Sequence, residues 1–523
     1  MAGQADLKSG RLDALMAQAC FGIAVAIGLV AAFVGLRVSS LWQDELYTGW
    51  IVDPAIGWSA TVARALHDVG PPLYYLLLWP FVQLLGDGEV GLRLFSTFCA
   101  TASILLFVWG GAPFFSLRAR LFAAAMATGS SYWFAQAQNA RFYALALLIS
   151  TSLLLAGLAA LRRERSLVGL FALMVAGSFA HFYLLYESLG VLAVLAFYRP
   201  RQRVLLIGLG ALLLIAALLY VKLVIFRLSY ASTGENWIPN DLAWYAAQFG
   251  AIVQTSLTHK AMLALIVCAL AGAIVVVQRM ERSSITALRT WTAARGELAL
   301  CVAVPAIVLV GGVSSSFVVT PNFHSRYLLV CSPFLWGLVA LWYDRGVEAA
   351  PPLPRRIAHL ALSVIVLWMA ITLAATRDKP IGEPFREAAA EIRAIPACRG
   401  AVIPSVVGEL RRWFRSPEAL QPIRAAYAKY LQGFADPQLI YAEDILSGNI
   451  SEDWKRLLRE RIDGSGCPVL AWTVHTIPRE VADEIGAKIL AATGRTAKAA
   501  ELGVIVTKDG FEGYVLTMKR APR

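Results

Sequence analysis

Residues 71–86, PPLYYLLLWPFVQLLG, decide how this chain is threaded. The stretch is apolar, yet it holds only about fourteen apolar positions behind two leading prolines, short of the roughly 20 that cross a hydrocarbon core. Read as a helix lying at the membrane interface, it leaves the next crossing to residues 93–111. Read as a span, it reverses the side of every later loop, because successive crossings alternate.

Composition makes the membrane the relevant solvent. The chain has 523 residues, 58% hydrophobic and only 16% charged, and a mean hydropathy of +0.61, too apolar for an ordinary soluble enzyme. Apolar runs of bilayer length recur at 14–36, 94–115, 121–140, 142–161, 204–221, 261–278 and 298–325, followed by 327–343 and 357–376. Residues 166–198 accommodate two short helices broken near SFAHFYLLYE (178–187). The first run is longer than a signal-peptide core and lacks a small-residue cleavage site, so it reads as a retained anchor.

With the N terminus inside, the cytoplasmic loops are SLRAR (116–120), RRER (162–165), YRPRQR (198–203), QRMERSSITALRTWTAARGE (278–297) and YDRGVEAAPPLPRR (343–356). Each carries an arginine excess. The opposite loops, 37–92, 138–143, the break near 181, 227–259 and 320–326, hold aromatics, histidines and carboxylates. This asymmetry favours about 11 crossings, with 71–86 lying at the interface. It also accounts for the formal charge of +12 without a nucleic-acid partner.

Residues 377–523 then fall on the outer side, and their character changes. Charged helical stretches, EDWKRLLRERI (452–462) and REVADEIGAKILAAT (479–493), alternate with the apolar runs GAVIP (400–404), CPVLAWTV (467–474) and LGVIVTKDGFEGYVLTMKR (502–520), the last reading as two strands around an Asp-Gly turn. The expected architecture is a polytopic α-helical membrane domain, 1–376, with juxtamembrane helices in its first external loop, and a small extracytoplasmic α/β domain, 377–523. Cys398 and Cys467 in this tail are either a disulfide or two buried thiols. No internal repeat is visible, which weighs against a transporter built on inverted repeats.

The outer-side polar residues gather near predicted span ends: Asp44 and Glu45 in SSLWQDELYTGW (39–50), His67 and Asp68, Arg141 and Tyr143, His181 and Tyr183, Arg227, and His324 and Arg326. Singly, an Arg or His at a helix end usually snorkels or satisfies a backbone carbonyl. Together, five segments deliver carboxylate, imidazole or guanidinium to one leaflet, as a site for an anionic lipid-linked substrate requires. The aromatic loop 227–259 reads first as a membrane belt, with Asn236 and Trp237 as candidates to touch a sugar.

The first hydrophobic helix followed by WQDE (42–45), then HDVGPPLYYLLL (67–78), GLRLFS (91–96), ARFYAL (140–145) and SRYLLVCSPFLW (325–336), resembles the C-type membrane glycosyltransferases that use polyprenyl-phosphate sugars. Within them it is similar to the branch of protein O-mannosyltransferases and lipid A aminoarabinose transferases. The resemblance covers roughly residues 15–375. It implies a multi-pass protein of the cytoplasmic (inner) membrane that transfers a sugar to a lipid, a lipopolysaccharide or cell-wall glycan, or a protein hydroxyl on the external face. The aspartate of the first external loop, the family's base or acceptor-orienting group, falls on Asp44, with Glu45 adjacent.

Such a reaction needs a carboxylate within reach of the acceptor hydroxyl and cations for the departing phosphate. Arg141 and Arg326 suit the phosphate because a guanidinium binds its oxygens bidentately, and His67 stands beside them as a phosphate contact. Asp68, Tyr143, His181, Tyr183, His324 and Tyr327 are candidates to bind substrate. No cofactor is certain and a divalent ion is possible, with Asp44, Asp68, His181 and His324 as candidate ligands, although no spacing signature demands one. The second external loop, QAQNARFY (136–143), lacks the acidic residue of several relatives, which sets it apart from a two-carboxylate, metal-dependent arrangement. Direct displacement with one base predicts inversion. The other readings are a transporter of lipids or anionic solutes, for which Lys222 is the plausible deep cation, and a non-catalytic scaffold, which leaves WQDE without a role.

Overall fold

The computed structural model describes all residues except 1, 69, 163–166, 232–237, 257–286, 319–320, 377–381, 409–419, 432–433, 435–436, 464–465, 475–476, 497–499, 508–509 and 520–523, and side chains within helices except at 2–11, 217, 219–231, 256 and 287–294. The predicted span 261–278 and the candidates Asn236 and Trp237 lie outside the described residues, as do the side chains of Lys222 and Arg227.

The first apolar run forms α1 (Ala2–Val34), which ends before α2 (Gln43–Ile51), α3 (Trp58–His67) and α4 (Leu73–Leu85). At 13 residues α4 is too short to cross a bilayer. It lies against its neighbours through Trp58–Trp79 and Phe81–Phe95 ring contacts at 5.3 and 5.0 Å, and its Leu73 amide donates to the Phe179 carbonyl at 3.1 Å. The turn into α5 (Glu89–Gly110) depends on two glycines. Gly86 takes a φ of +77°, and a Cβ on Gly91 would stand 1.9 Å from the Gly86 oxygen, so neither position accepts a side chain without the turn opening.

The expected span 121–140 is instead two helices, α6 (Leu117–Thr128) and α7 (Ser131–Ala137). The break combines a distant contact with a local cap. Gly129 packs 3.0 Å from Met369 at its Cβ position, and the Ser130 hydroxyl accepts the Trp133 amide at 3.2 Å to start a new helix. Beyond α8 (Tyr143–Arg162), the stretch 166–198 breaks where expected, into α9 (Val168–Ser178) and α10 (Phe182–Tyr198). Then follow α11 (Arg203–Ala231), α12 (Leu242–Ser256), α13 (Ala287–Val318), a 3-10 turn (Ser325–Cys331), α14 (Ser332–Trp342) and α15 (Pro352–Ala375).

Among the described residues six stretches are long and apolar enough to cross a membrane, Leu12–Val34, Glu89–Gly110, Tyr143–Arg162, Arg295–Val318, Ser325–Val347 and Pro352–Ala375. A seventh arises if Phe182–Tyr198 and Pro200–Ala216, bent by 118°, make one span. The chain is a polytopic membrane protein. Its helices approach closely where small residues allow it: a Cβ on Gly28 of α1 would lie 2.6 Å from Thr128 of α6.

The tail carries a five-stranded sheet in the order β2-β1-β3-β5-β4, from β1 (Pro404–Val407), β2 (Gln438–Tyr441), β3 (Val469–Thr473), β4 (Ala500–Val506) and β5 (Glu512–Met518). The first three strands run parallel and the last two form the antiparallel hairpin around Gly510 that the sequence suggested. On one face α16 (Phe385–Arg393) and α17 (Gln421–Lys429) bury Phe385 and Tyr427 against Trp472. On the other, α18 (Ala442–Leu446), α19 (Glu452–Asp463) and α20 (Arg479–Ala492) bury Ile445, Leu458, Ile485 and Ile489 against Val406, Leu470 and Leu516. Cys398 and Cys467, left open by the sequence, are joined as a disulfide across 69 residues. Replacing both by serine is expected to cost the tail about 2–4 kcal/mol, read as a lower urea midpoint for its resistance to proteolysis.

Candidate active site

The helix α2 brings the two adjacent carboxylates to opposite fates. Glu45 is fully buried and every one of its lone-pair directions is used. Its Oε1 accepts from Arg93 Nε and from the Ala140 amide, both at 2.8 Å. Its Oε2 accepts from Arg93 Nη2 and from the Trp42 amide. Arg93, on α5, spends its remaining N–H groups on the carbonyls of Leu36, Ser39 and Ser40 at 2.7–3.0 Å. The pair therefore fixes the loop before α2, the loop before α8 and the helix itself, and leaves no oxygen for a substrate.

Asp44 faces the other way, with 27% of its side chain exposed. Its Oδ2 stands 3.9 Å from Arg141 Nε and 3.8 Å from Arg326 Nη1, close enough for ion pairing but too far for hydrogen bonds. Arg141 is buried. Its Nη1 donates to Tyr75 at 3.0 Å, and to Thr48 and the Asp44 carbonyl at 3.4 Å, while its Nε has no hydrogen-bond partner. Burial penalises the Arg141 charge, but Tyr75, Asp44 and Asp68 outweigh that penalty and hold its pKa well above the ordinary range. Asp68 joins through Tyr75, whose hydroxyl donates to Asp68 Oδ2 at 2.5 Å.

An aromatic wall adjoins this charged centre. The Arg326 guanidinium lies over Trp42, Tyr143 and Tyr327 at 5.4, 5.8 and 5.7 Å. Tyr327 stacks on Tyr143 and meets the rings of His181, Tyr183 and His324 at 5.5–5.8 Å. The two histidines share a local device. Each caps a helical turn, with Nδ1 accepting a backbone N–H two residues on, from Tyr183 at 3.1 Å and from Arg326 at 3.3 Å. Burial and the Arg326 charge push both imidazoles down to about 3. Each ring is therefore neutral, and with Nδ1 accepting, the proton sits on Nε2.

Of the residues singled out from sequence, Asp44, Arg141, Arg326, Asp68, Tyr143, His181, Tyr183, His324 and Tyr327 thus form one connected cluster. Glu45 lies behind it. His67 sits at the exposed end of α3, its Nδ1 donating to the Ala63 carbonyl at 2.7 Å. Among the described residues no three His, Cys, Asp or Glu side chains are grouped to hold a metal ion; where metal ligands were considered, Asp44 faces guanidinium groups. Sequence reasoning passed over Tyr75, Thr48 and Trp42, although all three stand within or beside motifs it quoted.

No protein-family model matches the sequence, and no curated protein matches it significantly. Solved structures do share its fold. ArnT from Cupriavidus metallidurans in the apo state is 14% identical with a TM-score of 0.51, over 94% of this chain and 97% of that one. The same protein bound to undecaprenyl phosphate is 13% identical with a TM-score of 0.51, over 96% and 99%. The Archaeoglobus fulgidus oligosaccharyltransferase in complex with Zn and sulfate is 11% identical, over 95% of this chain and 72% of that one, with a TM-score of 0.45. At identities of 13–14% the likeness to ArnT establishes a shared fold and no more.

Two outcomes follow from the geometry. Glu45→Gln and Arg93→Gln each leave a buried charge unpaired and are expected to cost about 3–5 kcal/mol, whereas Asp44→Asn leaves thermal stability in detergent nearly unchanged. In the unfolded chain His181 and His324 titrate near the ordinary 6.5, but in the folded one near 3, so the unfolded state binds more protons at acid pH. Folded stability is then full above pH 6.5 and falls below it, by up to about 1.4 kcal/mol per pH unit for each ring. His181→Asn, which keeps a capping side chain, is expected to flatten that slope by about half in melting curves taken across the range.

Proposed function

We propose that this protein is a membrane glycosyltransferase that moves one sugar from a polyprenyl phosphate to an acceptor hydroxyl at the outer face of the cytoplasmic membrane, with inversion. The observation that carries the reading is the loose triad of Asp44, Arg141 and Arg326: a part-exposed carboxylate held by two guanidinium groups at ion-pair distance, one of them with a buried N–H still unused. The shared fold, seen with undecaprenyl phosphate in ArnT, supports the donor class.

In this mechanism the donor phosphate competes with Asp44 for Arg141 and Arg326, because a guanidinium fork binds phosphate oxygens bidentately at shorter range. The phosphate thereby loosens the hold on the carboxylate. Asp44 then takes the proton of the acceptor hydroxyl as its oxygen attacks the anomeric carbon. The bond from that carbon to the phosphate oxygen breaks with its electron pair, and the charge growing on the leaving group falls between the two arginines. Attack opposite the departing phosphate inverts the anomeric centre. The wall of Tyr143, His181, Tyr183, His324 and Tyr327 offers ring faces and Nε2–H donors to the sugar.

On this reading the membrane domain, 1–376, makes eleven crossings with a cytoplasmic N terminus, and the tail, 377–523, stands outside. The disulfide supports that placement, since such bonds persist in oxidising compartments. A lipid or glycan acceptor is favoured over a protein hydroxyl, because the sequence of the tail shows no recognisable protein-binding module. No step requires a metal or cofactor.

The test is transfer from a panel of labelled polyprenyl-phosphate sugars in membranes. Asp44→Asn is expected to lower kcat by about 10³-fold or more while donor binding persists. Arg326→Gln should weaken donor binding and transfer together. Undiminished transfer by a folded Asp44→Asn protein would remove Asp44 as the base, and no transfer from any donor by the unaltered protein would end the proposal.

A further inference from the structure

The segment 36–42 leads into the Asp44 helix without helix or strand of its own, so most of its backbone groups need partners from elsewhere. Arg93 takes the carbonyls of Leu36, Ser39 and Ser40. The rest of the work falls to the tail. Arg386 donates to the carbonyls of Arg37 and Val38 at 2.9 and 2.8 Å and pairs with Glu89 at 2.8 Å. The Tyr430 hydroxyl accepts the Leu41 amide at 2.8 Å and donates to Glu89 at 3.0 Å. Glu383, itself buried, receives the Ser40 hydroxyl on its backbone carbonyl, and its Oε2 accepts the Gln43 amide at 2.8 Å. Lys429 pairs with Asp87 beside them.

Gln43 is the first residue of α2 and Asp44 the second. The amides of Leu41, Trp42 and Gln43 are consecutive, and they are taken in turn by Tyr430, Glu45 and Glu383. Two of these three acceptors come from the tail. A carboxylate on a first-turn amide is the favoured partner for a helix N-terminus, and here it is supplied from 340 residues away.

We propose that the C-terminal domain acts as a clamp that sets the position of the catalytic helix, with Glu383 as its positioning residue. This rests on the reading of Asp44 as the working carboxylate. The domain need not touch the donor to control transfer, because it fixes the first turn of the helix on which Asp44 rides. A misplacement of about 1 Å at a reacting group lowers rate far more than binding.

The test uses full-length protein and two readouts, hydrogen exchange over residues 41–47 and transfer kinetics with the donor found active. Glu383→Gln is expected to lose exchange protection in 41–47 while the sheet of the tail keeps its own, and to lower kcat by about tenfold with donor KM held within about twofold. Glu383→Asp should recover part of both. Tyr430→Phe, a second variant, should raise exchange at Leu41 with a smaller loss of kcat, and it decides the matter if Glu383→Gln disturbs the whole tail. Unchanged protection in both variants overturns the clamp, and so does lost protection with undiminished kcat. Absence of transfer by the unaltered protein with intact exchange changes in the variants would instead overturn the glycosyltransferase reading, and with it the clamp's control of catalysis, while leaving its hold on the first turn of the helix.

Discussion

The buried pair of Glu45 and Arg93 is the contact on which the site depends. Removing two charges from water is costly, and such a pair persists only where further hydrogen bonds satisfy both partners. Here all five guanidinium N–H groups and both carboxylate oxygens are engaged. The consequence is geometric more than energetic. One arginine on α5 holds the exit of α1 and the start of α2, while the glutamate holds the loop from which Arg141 projects. Three segments distant in sequence are fixed by two side chains, and Asp44 and Arg141 inherit their separation from that arrangement.

Against this rigid support the outer charges are deliberately loose. Asp44 stands nearly 4 Å from both arginines, so its hold on them is Coulombic and can be exchanged for a better anion. The neighbouring carboxylates in WQDE therefore divide the labour: one is spent on structure, and its neighbour is kept available. Neutral His181 and His324 complete the contrast. Their Nδ1 atoms are spent on capping, and each ring stays neutral near neutral pH with its proton on Nε2.

Much of the fold was legible in the sequence because the bilayer imposes length and charge rules that single chains display openly. The break at 179–181 and the short helix 73–85 follow from such rules, and the hairpin of the tail follows from its two apolar runs around an Asp-Gly turn. The split of 121–140 did not, because it depends on the approach of α15 to Gly129, a contact 240 residues distant in sequence. The site was legible in its members but not in their roles. Asp44 and Glu45 are adjacent acids on one short helix, and only the position of Arg93 across the fold distinguishes them. Likewise nothing local to Glu383, Arg386 or Tyr430 announces these contacts; most of their partners are backbone groups of residues 37–43, and a backbone group has no signature in a sequence.

The pairing of Gln43 with Glu383 also orders events during biosynthesis. The helix bearing Asp44 leaves the ribosome early, and the residue that caps its first turn emerges 340 positions later. At ordinary elongation rates of about 5–20 residues per second, that interval lasts roughly 20–70 s. Throughout it the Leu41 and Gln43 amides lack their folded partners, and the first turn is held only from the Glu45 side. The helix thus reaches its final form only after Glu383 of the 523 residues has been made, and a product truncated between Arg326 and Glu383 carries every residue of the charged triad without the frame that sets it.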